Sequence, residues 1–253
     1  MTDAVLTKIA NGILTIRLNH LEKRNSLTRA MYSTIADSLA WAQANDSIRV
    51  VVLTGHSTCF TAGNDLSDAA IEGLDGPHGR FMSSLMEFTK PVVAAPCGIV
   101  VGVGVTMLLH CDLVYCGSQT TFKAPFVSLA VCPEFGSSYL LPQLVGHHRA
   151  SEILIAGEAF DAAAALELRL VNGVFPNSQV EEVAQAKAEL IAAQPPESVR
   201  TTKMLLKRSS VAAVRDAVKV EIEHLVRLQL GPEAREALEA FKGKRRPDFS
   251  RFA

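Results

Sequence analysis

The chain has 253 residues, 48% of them hydrophobic, which is enough apolar material for one large domain with a substantial core. Its 25 basic and 26 acidic residues leave a formal net charge of −1, so neither a nucleic-acid partner nor an anionic membrane surface is expected. The five cysteines (Cys59, Cys97, Cys111, Cys116 and Cys132) are odd in number and form no CxxC pair, which argues for reduced buried thiols and against a disulfide framework or a metal site.

The N-terminal "MTDAVLTKIANG" lacks the positive-then-apolar pattern of a secretory leader, and the C-terminal "RFA" is no retention or peroxisomal address, so a cytoplasmic location is expected. "AVLTKIANGILTIRLN" reads as two strands joined through Asn11-Gly12, a strong hairpin signal. After a polar turn, "SLTRAMYSTIADSLAWAQA" sets Leu27, Met31, Ile35, Leu39 and Ala42 on one helical stripe, with Thr28 as the N-cap. "RVVVLTG", "PVVAAP" and "DLVYC" are apolar strands without polar alternation. Separated by helical segments, they indicate a sheet covered on both faces, and hence an α/β fold.

The uncharged run Pro91–Leu109 is long enough to raise a membrane span, but Pro96, Gly98, Gly102 and Gly104 interrupt it and Asp112 follows closely. A buried strand, a glycine-rich turn and a buried helix fit it better, and no membrane partner is expected. The remainder is mostly helical, in four amphipathic stretches broken at Gln194-Pro195-Pro196 and at Gly231-Pro232. A boundary near Pro195 divides residues 1–194, a core with the ligand site, from residues 195–253, a helical region expected to pack on a neighbouring subunit.

Two glycine-containing turns follow apolar strands: "CFTAGNDL" and "GIVVGVGVTMLL". Turns of this kind expose backbone N–H groups at a helix N-terminus, and two facing each other would hold an oxyanion. Dinucleotide binding is disfavoured because Met107 stands where the third glycine of GxGxxG belongs, and neither a P-loop nor a GxSxG nucleophile motif occurs. Glu134, in "VCPEFGSSY", is a lone carboxylate among small and apolar residues. By pattern alone it is either the first-turn residue of a helix, favoured there by the dipole, or a base held for chemistry. The adjacent His147 and His148 do not share a helix face, and neither His110 nor His20 stands in any pattern.

"FTAGNDL", "GVGVTMLLHCDLVY", "TTFKAPFVSLAVCPEFGSSYLLPQLVG" and "AFDAAAALELRLVNGVFP" together resemble the crotonase (enoyl-CoA hydratase/isomerase) superfamily, over nearly the whole chain from "LEKRNSL" to "FKGKRRPDF". The resemblance implies a spiral of ββα units followed by a helical trimerisation region, a homotrimer or dimer of trimers, and binding of acyl-CoA thioesters. No separate cofactor is implied, because coenzyme A is part of the substrate. The family's oxyanion hole falls on the backbone amides of Asn64 and Val103, the latter preceded by Gly102 in the second turn. The segment from Ala62 through Gly63 and Asp65 to Leu66 would line the adenine pocket. Lys23 and Arg24 suit the CoA phosphates, or are solvated charges at a turn, and the basic "KGKRRP" reads as a tail.

The two glutamates that hydratases of this family use fall on Thr106 and Phe126, neither of which carries a carboxylate. "PEFGSSY" instead resembles the segment of peroxisomal-type Δ3,Δ2-enoyl-CoA isomerases in which the glutamate is the single acid/base, which assigns that role to Glu134. Phe126, Phe135 and Tyr139 would wall the pocket. The resemblance thus implies that a 3-enoyl-CoA becomes a 2-trans-enoyl-CoA through a dienolate held by the Asn64 and Val103 amides. Another reaction of the same family, hydration or thioester hydrolysis, and acyl-CoA binding without catalysis stand as alternatives.

Overall fold

A computed structural model describes residues 3–68 and 71–252. The chain opens with the expected hairpin, β1 (Val5–Ala10) and β2 (Ile13–Leu18), in which Ala10 pairs with Ile13 and the two turn residues, Asn11 and Gly12, both have positive φ. Such a turn matches the twist of the strands it joins. Helix α1 (Arg29–Ala44) starts where Thr28 Oγ1 accepts the Met31 N–H at 3.2 Å, and it buries Met31, Tyr32, Ile35, Leu39 and Ala42. There follow β3 (Val50–Thr54), β4 (Cys59–Thr61), α2 (Pro77–Met86), β5 (Val92–Ala95), β6 (Ile99–Val101) and α3 (Val103–Thr106), which runs on into a 3-10 turn over Met107–His110. Next come β7 (Leu113–Gly117), β8 (Thr121–Lys123), α4 (Ser137–Val145), α5 (His147–Ser151), β9 (Phe160–Asp161), α6 (Ala162–Glu167), β10 (Gly173–Phe175) and α7 (Val180–Ala192). Helices α8 (Pro196–Lys207), α9 (Val211–Gln229) and α10 (Pro232–Lys242) close the chain.

The strands form two sheets, not the one that the apolar runs suggested. A six-stranded sheet has the order β1-β2-β3-β5-β7-β10 and is parallel beyond the first hairpin, while a four-stranded sheet has the order β4-β6-β8-β9. The run Pro91–Leu109 accordingly holds two strands, one in each sheet, before its helix. The strand–strand–helix winding is the one the resemblance implies.

Burial on both faces of the large sheet is visible residue by residue. Along β3 and β5, Val51, Leu53, Val92 and Ala94 enter the principal core, and Val50, Val52, Val93 and Ala95 enter a second cluster closed by Val180, Ala184 and Ala188 of α7. Strict alternation between two apolar layers is why these strands carry no polar positions. Each valine or leucine so enclosed contributes roughly 1.5–3 kcal/mol. Val214, Val218, Ile222 and Leu225 of α9 belong to the principal core, so this C-terminal helix shares the core of the preceding residues.

Candidate active site

The two glycine turns meet because their strands pair. Strands β4 and β6 run parallel, with Cys59 opposite Ile99 and Thr61 opposite Val100, and their C-terminal ends carry Gly63-Asn64 and Gly102-Val103 side by side. Both glycines adopt positive φ, +88° at Gly63 and +57° at Gly102. A Cβ on Gly63 would stand 3.1 Å from the Val101 carbonyl oxygen, and one on Gly102 would lie 4.0 Å from the Gly63 Cα. The contact at Gly63 is tighter than ordinary packing and that at Gly102 is not, so it is the positive φ that favours glycine at both positions. The neighbouring N–H groups are spoken for: Gly63 donates to Thr61 Oγ1, Asp65 to the Leu27 carbonyl and Gly102 to the Lys123 carbonyl. The Asn64 and Val103 N–H groups have no protein acceptor among the described residues. Val103 is also the first residue of α3, where an unpaired N–H is intrinsic to the helix.

The "LEKRN" segment packs on the first turn. Asn25 is wholly buried; its side chain donates to the Cys59 and Phe60 carbonyls, each at 3.1 Å, and accepts the His20 N–H, while its carbonyl accepts from Thr61 Oγ1. The Arg24 carbonyl accepts the Ala62 N–H at 3.0 Å, and the Arg24 side chain is exposed. Lys23 Nζ lies 3.1 Å from Asp65 Oδ2. Burial opposes ionisation of Asp65, but hydrogen bonds from Ser67 and Lys23 outweigh it and hold that carboxyl below its ordinary value. Lys23, Arg24, Ala62, Gly63 and Asp65 therefore form one neighbourhood, with Leu66 partly buried at its edge.

Glu134 is 0% exposed. Its loop is unusual in backbone: Phe135 and Gly136 both have positive φ, and several groups hold the turn. The Glu134 carbonyl accepts from Ser137 N and from Ser137 Oγ, at 3.1 and 2.6 Å. The Glu221 carboxylate, reaching in from α9, accepts the N–H groups of Gly136 at 2.6 Å and Ser138 at 2.8 Å. Burial raises the Glu221 pKa, partly offset by those hydrogen bonds, and the Glu134 charge adds to the rise. His110, which the sequence gave no reason to single out, is 4% exposed; its Nε2–H donates to the Phe135 carbonyl at 2.7 Å and its ring stacks on Phe135 at 4.1 Å.

Among the described residues, five buried side-chain nitrogen or oxygen atoms lack a hydrogen-bond partner, and four of them are the Glu134 carboxylate oxygens and the His78 ring nitrogens. His78, near the start of α2, is 6% exposed, and its Nε2 stands 2.8 Å from Glu134 Oε2 without meeting hydrogen-bond geometry. Its ring meets Tyr32 edge-on at 5.0 Å. Burial, and then the Glu134 charge, push the Tyr32 phenol well above its ordinary pKa, so it stays protonated and donates to Asn64 Oδ1. The carboxylate and the Asn64 turn are thus linked through two aromatic side chains. Sequence reasoning missed His78, Tyr32 and Glu221 altogether.

The expected pocket walls separate. Phe135 lies in the principal core against Phe81 and His110, and Tyr139 packs on that core from its edge. Phe126 sits in a third cluster with Ala124, Leu141, Ala150 and Ile153. Thr106 is buried, with its hydroxyl donating to the Val103 carbonyl at 3.4 Å. A cleft of about 550 Å³ reaches His110 between the end of α2 and helices α8 and α9, but none of Glu134, His78, Asn64 and Val103 lines it. Among the described residues there is no group of His, Cys, Asp or Glu placed to hold a metal, and all five cysteines are free. No helix there is long and apolar enough to cross a membrane.

The protein-family profile described as enoyl-CoA hydratase/isomerase matches residues 8–251. The 2,3-dehydroadipyl-CoA hydratase of Escherichia coli is 31% identical over 98% of this chain and 99% of its own length. Enoyl-CoA delta isomerase 2 of Rattus norvegicus is 32% identical over 82% of this chain, which spans 55% of that longer protein. The solved structure of Pseudomonas aeruginosa OdaA superposes with a TM-score of 0.93 at 41% identity, covering 95% of this chain and 99% of OdaA.

Proposed function

Because the chain belongs to the enoyl-CoA hydratase/isomerase family, matching it over residues 8–251, we propose that it is a Δ3,Δ2-enoyl-CoA isomerase of unsaturated fatty acid β-oxidation. Glu134 removes a proton from C2 of a 3-enoyl-CoA, the dienolate oxygen rests on the Asn64 and Val103 amides, and a proton returns at C4 to give the 2-trans-enoyl-CoA. No cofactor takes part; coenzyme A is carried by the substrate. The observation that carries this reading is a fully enclosed carboxylate with both oxygens free of protein hydrogen bonds; the family resemblance supports it by setting Thr106 and Phe126, neither of them an acid, at the hydratase positions.

The energetics favour the same division of labour. A thioester α-proton is too weakly acidic for an unaided carboxylate, and each preorganised donor aimed at the developing oxyanion is worth about 3 kcal/mol in a dry site. Two free N–H groups on adjacent turns supply that help without spending a side chain. Lys23, Arg24 and the Ala62–Leu66 segment would meet the nucleotide end of coenzyme A, and the partial exposure of Lys23 suits a phosphate contact. We assign the assembly as a homotrimer or dimer of trimers through residues 195–253.

Hydration of a 2-enoyl-CoA is the second reading, favoured by the full-length match to a hydratase. Side-by-side rates decide between them. The wild-type protein should convert 3-hexenoyl-CoA and 3-dodecenoyl-CoA to the 2-enoyl products faster than it adds water to the corresponding 2-enoyl-CoA. Efficient hydration without isomerisation would reject the assignment.

A further inference from the structure

We propose that His78 is a second catalytic residue of this site, taking from Glu134 the proton lifted from C2 and delivering a proton to C4. The inference rests on the isomerase reading and adds to it a group that neither the sequence pattern nor the single-glutamate scheme contains. Its ground is the contact already described: Nε2 of a histidine that is 6% exposed stands 2.8 Å from Glu134 Oε2. Neither ring nitrogen has a protein hydrogen bond, and the nearby Tyr32 hydroxyl is committed to Asn64. A buried imidazole held only for packing leaves its polar atoms unsatisfied, which opposes folding. An imidazole facing a carboxylate that gains a proton in every turnover has a use for both nitrogens.

The steps balance without any further reactant. The C2–H bond breaks, its proton goes to the Glu134 carboxylate and its electron pair enters the dienolate. The Glu134 carboxyl then passes that proton across the 2.8 Å contact to His78 Nε2, regenerating the carboxylate and leaving an imidazolium. The Nδ1–H of the imidazolium protonates C4, the dienolate electrons form the new C4–H bond and the C2=C3 double bond, and the proton left on Nε2 exchanges through solvent water back to Nδ1 before the next turnover, so that His78 is neutral again with Nε2 free. An imidazolium carries two N–H groups, so the proton that arrives from C2 need not be the one that leaves for C4. A carboxyl acting alone and shut off from water, as the enclosed Glu134 is, returns the proton it took.

That difference is measurable. The wild-type enzyme, equilibrated in D2O and stopped at low conversion of an unlabelled 3-enoyl-CoA, should place solvent deuterium at C4 of most product molecules, read by mass spectrometry and NMR. H78Q should turn over several-fold more slowly, bind the CoA ester as before, and give product with several-fold less deuterium at C4. If circular dichroism shows that H78Q does not fold, His78→Asn takes its place. Wild-type product whose C4 hydrogen comes from C2 overturns the relay, and so does a variant with unchanged rate and deuterium content. If the relay fails in either way while E134Q is inactive, the isomerase reading stands and only the role of His78 is lost. No isomerisation by the wild-type protein removes both.

Discussion

The His110 imidazole is buried, 4% exposed, with its Nε2–H donated to the Phe135 carbonyl one residue beyond Glu134. Burial, helped by the Lys207 and Lys203 ammonium groups and opposed by the Phe135 hydrogen bond, pushes its pKa down to about 3. An unfolded histidine titrates near 6.5, so the folded protein excludes a proton that the unfolded chain takes up between those values. The associated stability is complete above about pH 6.5 and is lost as pH falls through this window toward 3. At roughly 1.4 kcal/mol per unit, the loss amounts to several kcal/mol at the acid end. Urea midpoints for the wild-type protein should therefore fall more steeply between about pH 7 and pH 4 than those of H110Q, which has no titrating ring. Parallel curves would place the acid sensitivity elsewhere. At this scale the sequence was legible only where chemistry is written locally. Glu134 stood out because proline, glycine and two serines surround it. His78 and Glu221 reach the same turn from distant helices, and no spacing in the chain announces either contact.

The hairpin, α1 and the apolar strands β3, β5 and β7 were readable because their patterns run long enough to show a period, and Thr28 and Asn11-Gly12 mark their ends. Strands β4, β6 and β8 have three residues each, too few for any period to register, so β4 and β6 were hidden inside what read as glycine turns and β8 had no signal of its own. That sheet is what sets the two turns side by side. Gly63→Ala tests the arrangement, since the new methyl would press on the Val101 carbonyl at 3.1 Å from a backbone with φ of +88°. Strain of this kind costs roughly 1–2 kcal/mol. The larger effect should be on turnover: misaiming one oxyanion donor lowers kcat by about 10²–10³-fold. Kinetics of G63A beside its thermal midpoint would show a modest loss of stability and a large loss of rate. A variant with wild-type turnover would remove the Asn64 turn from the chemistry.

The molecule as a whole ties its C-terminal helices to the site, because α9 supplies four side chains to the principal core and the Glu221 clamp on the Glu134 loop. The breaks at Pro195 and Gly231 were legible as helix punctuation, but not the degree to which α9 shares one core with the sheets. Helix α8 turns Met204, Leu205 and Leu206 outward, with Leu206 77% exposed, a cost that a neighbouring copy of the chain would relieve. Light scattering should accordingly find the wild-type protein as a trimer or hexamer and Leu206→Glu as smaller species. A monomeric wild-type protein would contradict the assembly. Turnover depends above all on the carboxylate that this framework encloses, and E134Q isolates it because the amide keeps the size of the side chain and loses the base. Conversion of a 3-enoyl-CoA should fall by about 10²–10⁴-fold, the range for loss of an acid–base group, with CoA-ester affinity unchanged. Turnover by E134Q at the wild-type rate would rule out Glu134 as the base.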